Sequence, residues 1–118
     1  MKDEIELYET ESGSCPVGDF LGRLPSKLRR KVTTYLEVLG EGGPDLREPY
    51  TKPLGKGLFE LRCQWGSESA RLLFFFCGNR VIVVTNGFLK KTRKTPLRGI
   101  RLAEMRRNDY LRRYGYEA

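Results

Sequence analysis

Histidine is absent from this sequence, and cysteine is scarce. Without histidine, no Ser-His or Cys-His pair can activate a nucleophile, which excludes the commonest hydrolase mechanisms. The three cysteines, Cys15, Cys63 and Cys77, are widely spaced and form no CxxC pair, so we predict no metal site, and the sequence indicates no cofactor. Cys63 and Cys77 lie in apolar stretches and are interpreted as buried, reduced thiols, which indicates a reducing compartment, the cytoplasm.

Long apolar runs are also missing. The longest one, from Leu72 to Cys77, is far too short to cross a bilayer. The first six residues, Met-Lys-Asp-Glu-Ile-Glu, carry acids where a signal peptide would be apolar. A chain of 118 residues fits one hydrophobic core. We therefore predict a single domain over residues 1–118 that does not enter a membrane.

Charge is plentiful, and the two ends of the chain differ in its sign. The net charge is +7. Residues 1–20 contain one cation and six acids, whereas residues 86–113 contain ten cations and two acids. Clustered lysine and arginine favour a polyanionic partner, nucleic acid first, because neutralising phosphates releases counterions. A solvated basic face without a partner is the alternative interpretation.

The spacing of apolar residues predicts an α+β fold with the element order β-α-α-β-β-β-α. Thr95 is interpreted as the cap of the last helix, and the loop before the first central strand spans residues 40–57. We expect an antiparallel sheet packed against N-terminal helices with a C-terminal helix, all helices covering one side. The predicted strands and helices span residues 4–9, 16–24, 26–39, 58–65, 70–77, 81–85 and 96–114.

Basic residues are most concentrated directly after the last predicted strand. Lys90, Lys91, Arg93 and Lys94 place four cations in five positions, just before a Thr-Pro helix start. An antiparallel meander would bring this strand end close to cations of neighbouring strands and loops. An arginine on a strand suits phosphate because its planar fork matches two oxygens. The cations expected to converge on one sheet edge are Lys52, Lys56, Arg62, Arg71, Lys90 and Lys91.

Such a cluster permits RNA cleavage without histidine. A ribose 2′-OH, once deprotonated, attacks the adjacent phosphorus, and the reaction needs a base, a proton donor and cations. A lysine crowded by other cations has a lowered pKa and can serve as base or acid. Glu60 is a second candidate base, but it is better interpreted as an ion-pair partner of Arg62 or another cation. Phosphate binding without cleavage remains the other possibility for the whole cluster.

Three segments resemble the RelE/ParE toxin superfamily, most closely its phage-derived, HigB-like branch. They are KPLGKGLFELR at residues 52–62, RLLFF at 71–75 and GFLKKTRKTP at 87–96. The branch carries a comparable lysine-to-arginine segment, an arginine opening the next strand, and a glycine-to-proline basic segment, in this order. The resemblance covers roughly residues 4–114.

The resemblance implies a RelE-like fold and the toxin of a type II toxin–antitoxin pair, acting as a ribosome-dependent mRNA endonuclease. Its partners would be the ribosome, mRNA and a cognate antitoxin, expected to carry a helix-turn-helix domain. The implied catalytic residues are Arg62, Arg71, Lys90 and Lys91, with Glu60 added from the chemistry above. The implied RNA- or ribosome-binding residues are Lys52, Lys56, Phe88, Arg93 and Lys94.

One family feature is missing at its expected position. Many RelE-like members stack a tyrosine near the C-terminal end on a base, but the nearest position here is Leu97. Candidate substitutes are Tyr110, Tyr114, Tyr116 and Phe88, of which Tyr110 and Tyr114 are better interpreted as helix packing. Two other functions stay open: a ParE-like inhibitor of DNA gyrase without nuclease activity, and a basic RNA-binding module.

Overall fold

A computed structural model of the chain describes residues 2–90 and 94–115. The described residues confirm the predicted α+β class, and a short 3-10 turn at Gly43–Asp45 follows the second helix. No helix among them is long and apolar enough to cross a membrane. The elements are β1 (Glu4–Leu7), α1 (Pro16–Arg23), α2 (Ser26–Gly42), β2 (Thr51–Gly55), β3 (Leu58–Trp65), β4 (Glu68–Cys77), β5 (Val81–Leu89) and α3 (Leu97–Arg113).

The strands form one sheet in the order β1-β5-β4-β3-β2. Strands β2 to β5 pair antiparallel in sequence, as the predicted meander requires. β1 differs, because it pairs parallel to β5 with Glu4 opposite Val81. A parallel neighbour needs a long crossover connection, and β1 is followed by α1 and α2 before the sheet continues.

β2 corrects the prediction that residues 40–57 form only a loop. Thr51, Lys52 and Pro53 pair with Leu61, Glu60 and Phe59 of β3. The glycines and prolines of this region hid the strand. A proline is compatible with an edge strand, where its missing N–H can lie on the side away from the neighbour, and β2 is an edge strand of the sheet.

The helices cover both faces of the sheet, so the prediction that they lie on one side was wrong. α1 and α2 pack in one core cluster, which includes Leu72 and Phe74 of β4. Residues of α3 pack in a second cluster with Leu73 and Phe75. Because successive side chains of a strand point to opposite faces, a nearly continuous apolar strand such as β4 is covered on both sides.

β5 continues four residues beyond its predicted end at Thr85. The predicted strand stopped before Asn86-Gly87, yet both residues pair with β4. Gly87 is required there because a Cβ atom at this position would lie 2.6 Å from Cδ2 of Phe20. The extension puts Phe88 in the core cluster beneath α3, and strand alternation directs Lys90 to the same face.

A group of polar side chains, which we call the clasp, joins β1 to the end of α3. The Tyr8 hydroxyl donates to Asp109 Oδ2 at 2.6 Å, and Arg113 Nε donates to the same oxygen at 2.9 Å. The Tyr110 hydroxyl donates to Glu6 Oε1 at 2.7 Å. The hydrogen bond from Tyr8, with Arg113 adding to it, lowers the pKa of Asp109. The clasp therefore links the first strand to the last helix through charge-assisted bonds.

The three cysteines are reduced, and their environments differ. Burial raises the pKa of Cys63 to about 12, and Cys77 is also buried, whereas Cys15 is partly exposed. We expect Ellman's reagent at mild alkaline pH to modify Cys15 at least about 100-fold faster than Cys63, because thiolate and access are both needed. All three thiols should react once guanidinium unfolds the protein. Rapid modification of Cys63 in the native protein would contradict the buried placement.

Candidate active site

Cations from three strands meet on the face of the sheet that carries α3, at the end where β4 begins. Arg62 of β3 lies directly opposite Arg71 of β4, and Arg71 lies opposite Phe88 of β5. Lys90 follows β5, and its backbone N–H donates to the Ser69 carbonyl at 2.8 Å. The structure thus brings Arg62, Arg71 and Lys90 together.

Glu60 lies at the centre of this cluster and is completely buried. Arg71 Nη1 donates to Glu60 Oε1 at 2.9 Å, and Arg62 Nε lies 3.7 Å from the same oxygen. Thr95 donates to Glu60 Oε2, and Arg71 Nε donates to Ser69 Oγ at 2.8 Å. A buried carboxylate needs such partners because desolvation of an unpaired charge is costly. The network holds Arg71 in one orientation.

The Thr95 hydrogen bond corrects the prediction that this residue caps α3. The helix begins at Leu97, and the residue at its cap position is Pro96, which has no side-chain capping bond. The Thr95 hydroxyl instead donates a hydrogen bond to the buried Glu60 carboxylate. The start of α3 is therefore tied to the cation cluster.

Lys90 has the most unusual environment of the cations in this cluster. Its side chain is enclosed (8 % of the residue is exposed), and among the described residues Nζ has no hydrogen-bond partner. Burial lowers the pKa of Lys90, and the positive charge of Arg71 lowers it further, against a smaller opposing effect of Glu60. A buried ammonium without a hydrogen bond is destabilising, and perturbed groups of this kind concentrate at functional sites.

The other predicted cations divide into four groups. Lys52 is partly buried on β2, opposite Glu60. Lys56 lies in the turn at the other end of β3, where its Nζ is 3.7 Å from Glu104 of α3, so the structure does not bring it into the cluster. Lys94 is exposed. Lys91 and Arg93 lie outside the described residues.

The candidate aromatic residues lie mostly in packing positions. Phe88 is partly buried and faces Gly99, where an added Cβ would lie 3.4 Å from its ring. Tyr110 is buried in the clasp, and its ring centroid is 4.6 Å from that of Tyr114. Leu97 is exposed, and Tyr116 lies outside the described residues. Phe88 is the candidate aromatic residue nearest the cluster, through its pairing with Arg71.

Two members of the network were not identified from the sequence, Ser69 and Thr95. Ser69 precedes Arg71 by two residues on one strand and therefore shares its face. That spacing was a usable signal, although the strand was predicted to begin one residue later. Thr95 gave no such signal, because its partner lies 35 residues earlier in the chain.

The sequence that contains this site matches one known protein family. Residues 19–108 match the family described as phage derived protein Gp49-like. The chain belongs to the Gp49-like family. The Gp49-like family is a RelE/HigB-like toxin family, so the expected kinship is confirmed at that level. No curated protein matches the chain.

Membership of the Gp49-like family indicates a class of function. The family is associated with the toxins of toxin–antitoxin pairs, and a toxin of this kind implies an antitoxin partner. The matched residues include the whole of the network around Glu60, from β3 to Thr95.

Proposed function

We propose that this protein is a type II toxin of the HigB-like branch that cleaves mRNA on the ribosome in the cytoplasm, working as a single domain. The observation that carries the proposal is the enclosed Lys90 ammonium beside Arg71 and Arg62. Phosphate binding alone would be served by exposed, ordinary lysines. A lysine with a lowered pKa is also better suited to proton transfer than an ordinary one.

The proposed reaction is an attack of the ribose 2′-OH on the adjacent phosphorus. Neutral Lys90 would take the 2′-OH proton, or its ammonium would supply a proton to the leaving 5′-oxygen. The new bond joins the 2′-oxygen to phosphorus and the bond to the 5′-oxygen breaks, which leaves a 2′,3′-cyclic phosphate. Nearby arginines would stabilise the charge that develops on the phosphoryl oxygens.

The two arginines have different proposed roles. Arg62 is partly exposed, with 30 % of its side chain accessible, and it would contact the scissile phosphate. Arg71 is almost fully buried and oriented by Glu60 and Ser69. It would lower the pKa of Lys90 and add positive potential. Glu60, which was a candidate base, is a positioning residue in this proposal because its oxygens are buried and already bonded.

RNA must uncover Lys90 before proton transfer, since Nζ is enclosed in the free protein. Catalytic contacts often form fully only in the substrate complex. The ribosome would supply the alignment of the 2′-OH that a small basic protein lacks on free RNA. Lys52 and Lys94, together with Lys91 and Arg93, are proposed to contact RNA or ribosome, and a helix-turn-helix antitoxin is proposed to block access.

The proposal is tested with ribosomes programmed with a short mRNA. Purified protein should cut the mRNA in the presence of ribosomes and give a 2′,3′-cyclic phosphate end. A single 2′-deoxynucleotide at the cleaved position should abolish the cut, because the nucleophile is missing. Arg62→Ala should reduce cleavage by about 10²-fold or more. Lys27→Ala, an exposed cation on α2, is the matched control and should cleave normally.

Two outcomes would overturn the nuclease proposal. Cleavage of the 2′-deoxy substrate at the same position would contradict the attacking group. Growth arrest on expression, with intact mRNA and with inhibition of DNA gyrase, would favour the ParE-like function instead.

A further inference from the structure

The edge of β5 is open along its second half. β1 pairs with Val81 to Val84 only, whereas β5 continues to Leu89. The Lys90 N–H points toward β4, where it donates to Ser69. Because backbone groups alternate along an antiparallel strand, the N–H groups of Gly87 and Leu89 point to the opposite edge. Within the described chain, β1 ends before it reaches them.

A groove runs along this edge, between α1 and α3. Its volume is about 650 Å³. Gly87 and Leu89 form part of its floor, and the walls come from both helices. Leu89 is 47 % exposed, so the groove presents apolar surface to solvent. The apolar side chains that line it include Phe20, Phe88, Leu89 and Leu102.

The charges around the groove have one sign. Arg23 and Arg98 lie at its rim, and both are exposed. Arg106 also lines it, and its Nη1 donates to the Thr85 carbonyl at 2.9 Å. No described residue that lines the groove is acidic. Complementarity therefore favours a negatively charged occupant.

We propose that this groove binds an acidic, extended segment of a partner protein, which adds to the sheet beside β5. An open strand edge is a template for one more strand, and main-chain hydrogen bonds then supply the affinity. Alternate apolar side chains would enter the groove, and acidic side chains would meet Arg23 and Arg98. Nucleic acid suits the cations but not the row of backbone groups on the floor. The proposal does not depend on nuclease activity.

The test uses a synthetic peptide of about six residues that alternates valine and glutamate, a length typical of a strand. A peptide with lysine in place of glutamate and a 2′-O-methyl RNA hexamer are the comparison probes. Fluorescence anisotropy gives the affinity, and amide hydrogen exchange locates the site. The acidic peptide is expected to bind and to slow exchange at Gly87 and Leu89, while the lysine peptide binds at least about tenfold more weakly.

Paired variants separate backbone, side-chain and charge effects. Leu89→Pro removes the outward N–H. It should lower the affinity for the acidic peptide about tenfold more than Leu89→Ala does, because the strand hydrogen bond is lost. Arg98→Glu should lower the affinity for the acidic peptide about tenfold. Arg101→Glu should change this affinity little, because Arg101 is an exposed charge on the same helix outside the groove. Equal effects within either pair would overturn the proposal. Protection of Gly87 and Leu89 by the RNA hexamer but not by the peptide, or no peptide binding, would also overturn it.

Discussion

Replacing Lys90 with methionine is expected to abolish mRNA cleavage and to stabilise the protein. The ammonium is enclosed without a hydrogen-bond partner among the described residues, so an apolar side chain of similar length should suit its surroundings better. We expect cleavage to fall about 10²- to 10⁴-fold, the usual contribution of a general acid or base. The free energy of unfolding should rise by about 1 kcal/mol or more. Ribosome-dependent cleavage and urea unfolding measure the two effects.

The pH dependence of stability gives an independent check on Lys90. Its pKa is lowered in the folded state, so between that value and about 10.4, the ordinary lysine pKa, the unfolded chain binds more protons. Stability contributed by Lys90 therefore rises with pH through this window and is lost as pH falls. The difference between wild type and Lys90→Met cancels other groups, such as Cys63, whose raised pKa acts in the opposite direction.

The Lys90 prediction has a matched control and clear contrary results. Lys27→Met removes an exposed lysine on the other face of the sheet and should alter neither cleavage nor the pH profile. A Lys90→Met protein that cleaves at the wild-type rate would contradict the proton-transfer role. One that is strongly destabilised would contradict the unfavourable burial of the ammonium.

Removing the Glu60 carboxylate is expected to destabilise the protein more than any other single change at the site. Glu60→Ala leaves Arg71 almost fully buried without its counter-charge, and such a loss costs about 3–5 kcal/mol. That is a large part of the free energy of unfolding of a small domain. Thermal and urea unfolding should both show the shift. Glu104→Ala is the control, because its partner Lys56 is 77 % exposed and such pairs contribute less than about 1 kcal/mol.

A double substitution separates the structural role of Glu60 from catalysis. Glu60→Leu combined with Arg71→Met replaces the buried pair by apolar side chains and should recover much of the lost stability. Cleavage should not return, because Arg71 no longer acts on Lys90. Recovery of cleavage in the double variant would contradict the role proposed for Arg71. A loss of stability in Glu60→Ala no larger than that in Glu104→Ala would contradict the buried ion pair.

The regular elements were predictable because their signals are local. The alternation of apolar and polar residues predicted β3, and the apolar stripe from Leu28 to Leu39 predicted α2. The errors arose where a local signal competed with a distant contact. Asn86-Gly87 has turn composition, yet pairing with β4 and the ring of Phe20 make it part of a strand. Pro53 concealed β2 in the same way, since the strand is identified only by the pairing of residues 51–55 with β3.

The sequence predicted most of the residues that form the candidate site, but it did not predict which of them are buried. The resemblance and the topology placed Arg62, Arg71 and Lys90 together, because each lies at the matching end of adjacent strands. Burial could not be read from the sequence, so Glu60 stayed a candidate base, although the favoured interpretation as an ion-pair partner is the one that the structure confirms. The different location of Lys56 also follows from strand direction, since it lies at the opposite end of β3 from Arg62.

The clasp between β1 and α3 bears on how the protein matures during its own synthesis. β1 is synthesised before its neighbour β5 in the sheet and before the helix that holds Tyr8, whose partner Asp109 lies 101 residues further along the chain. Contacts between remote parts of a chain form late. We therefore expect nascent fragments that end before Asp109 to leave β1 without its connection to α3 and to remain incompletely assembled.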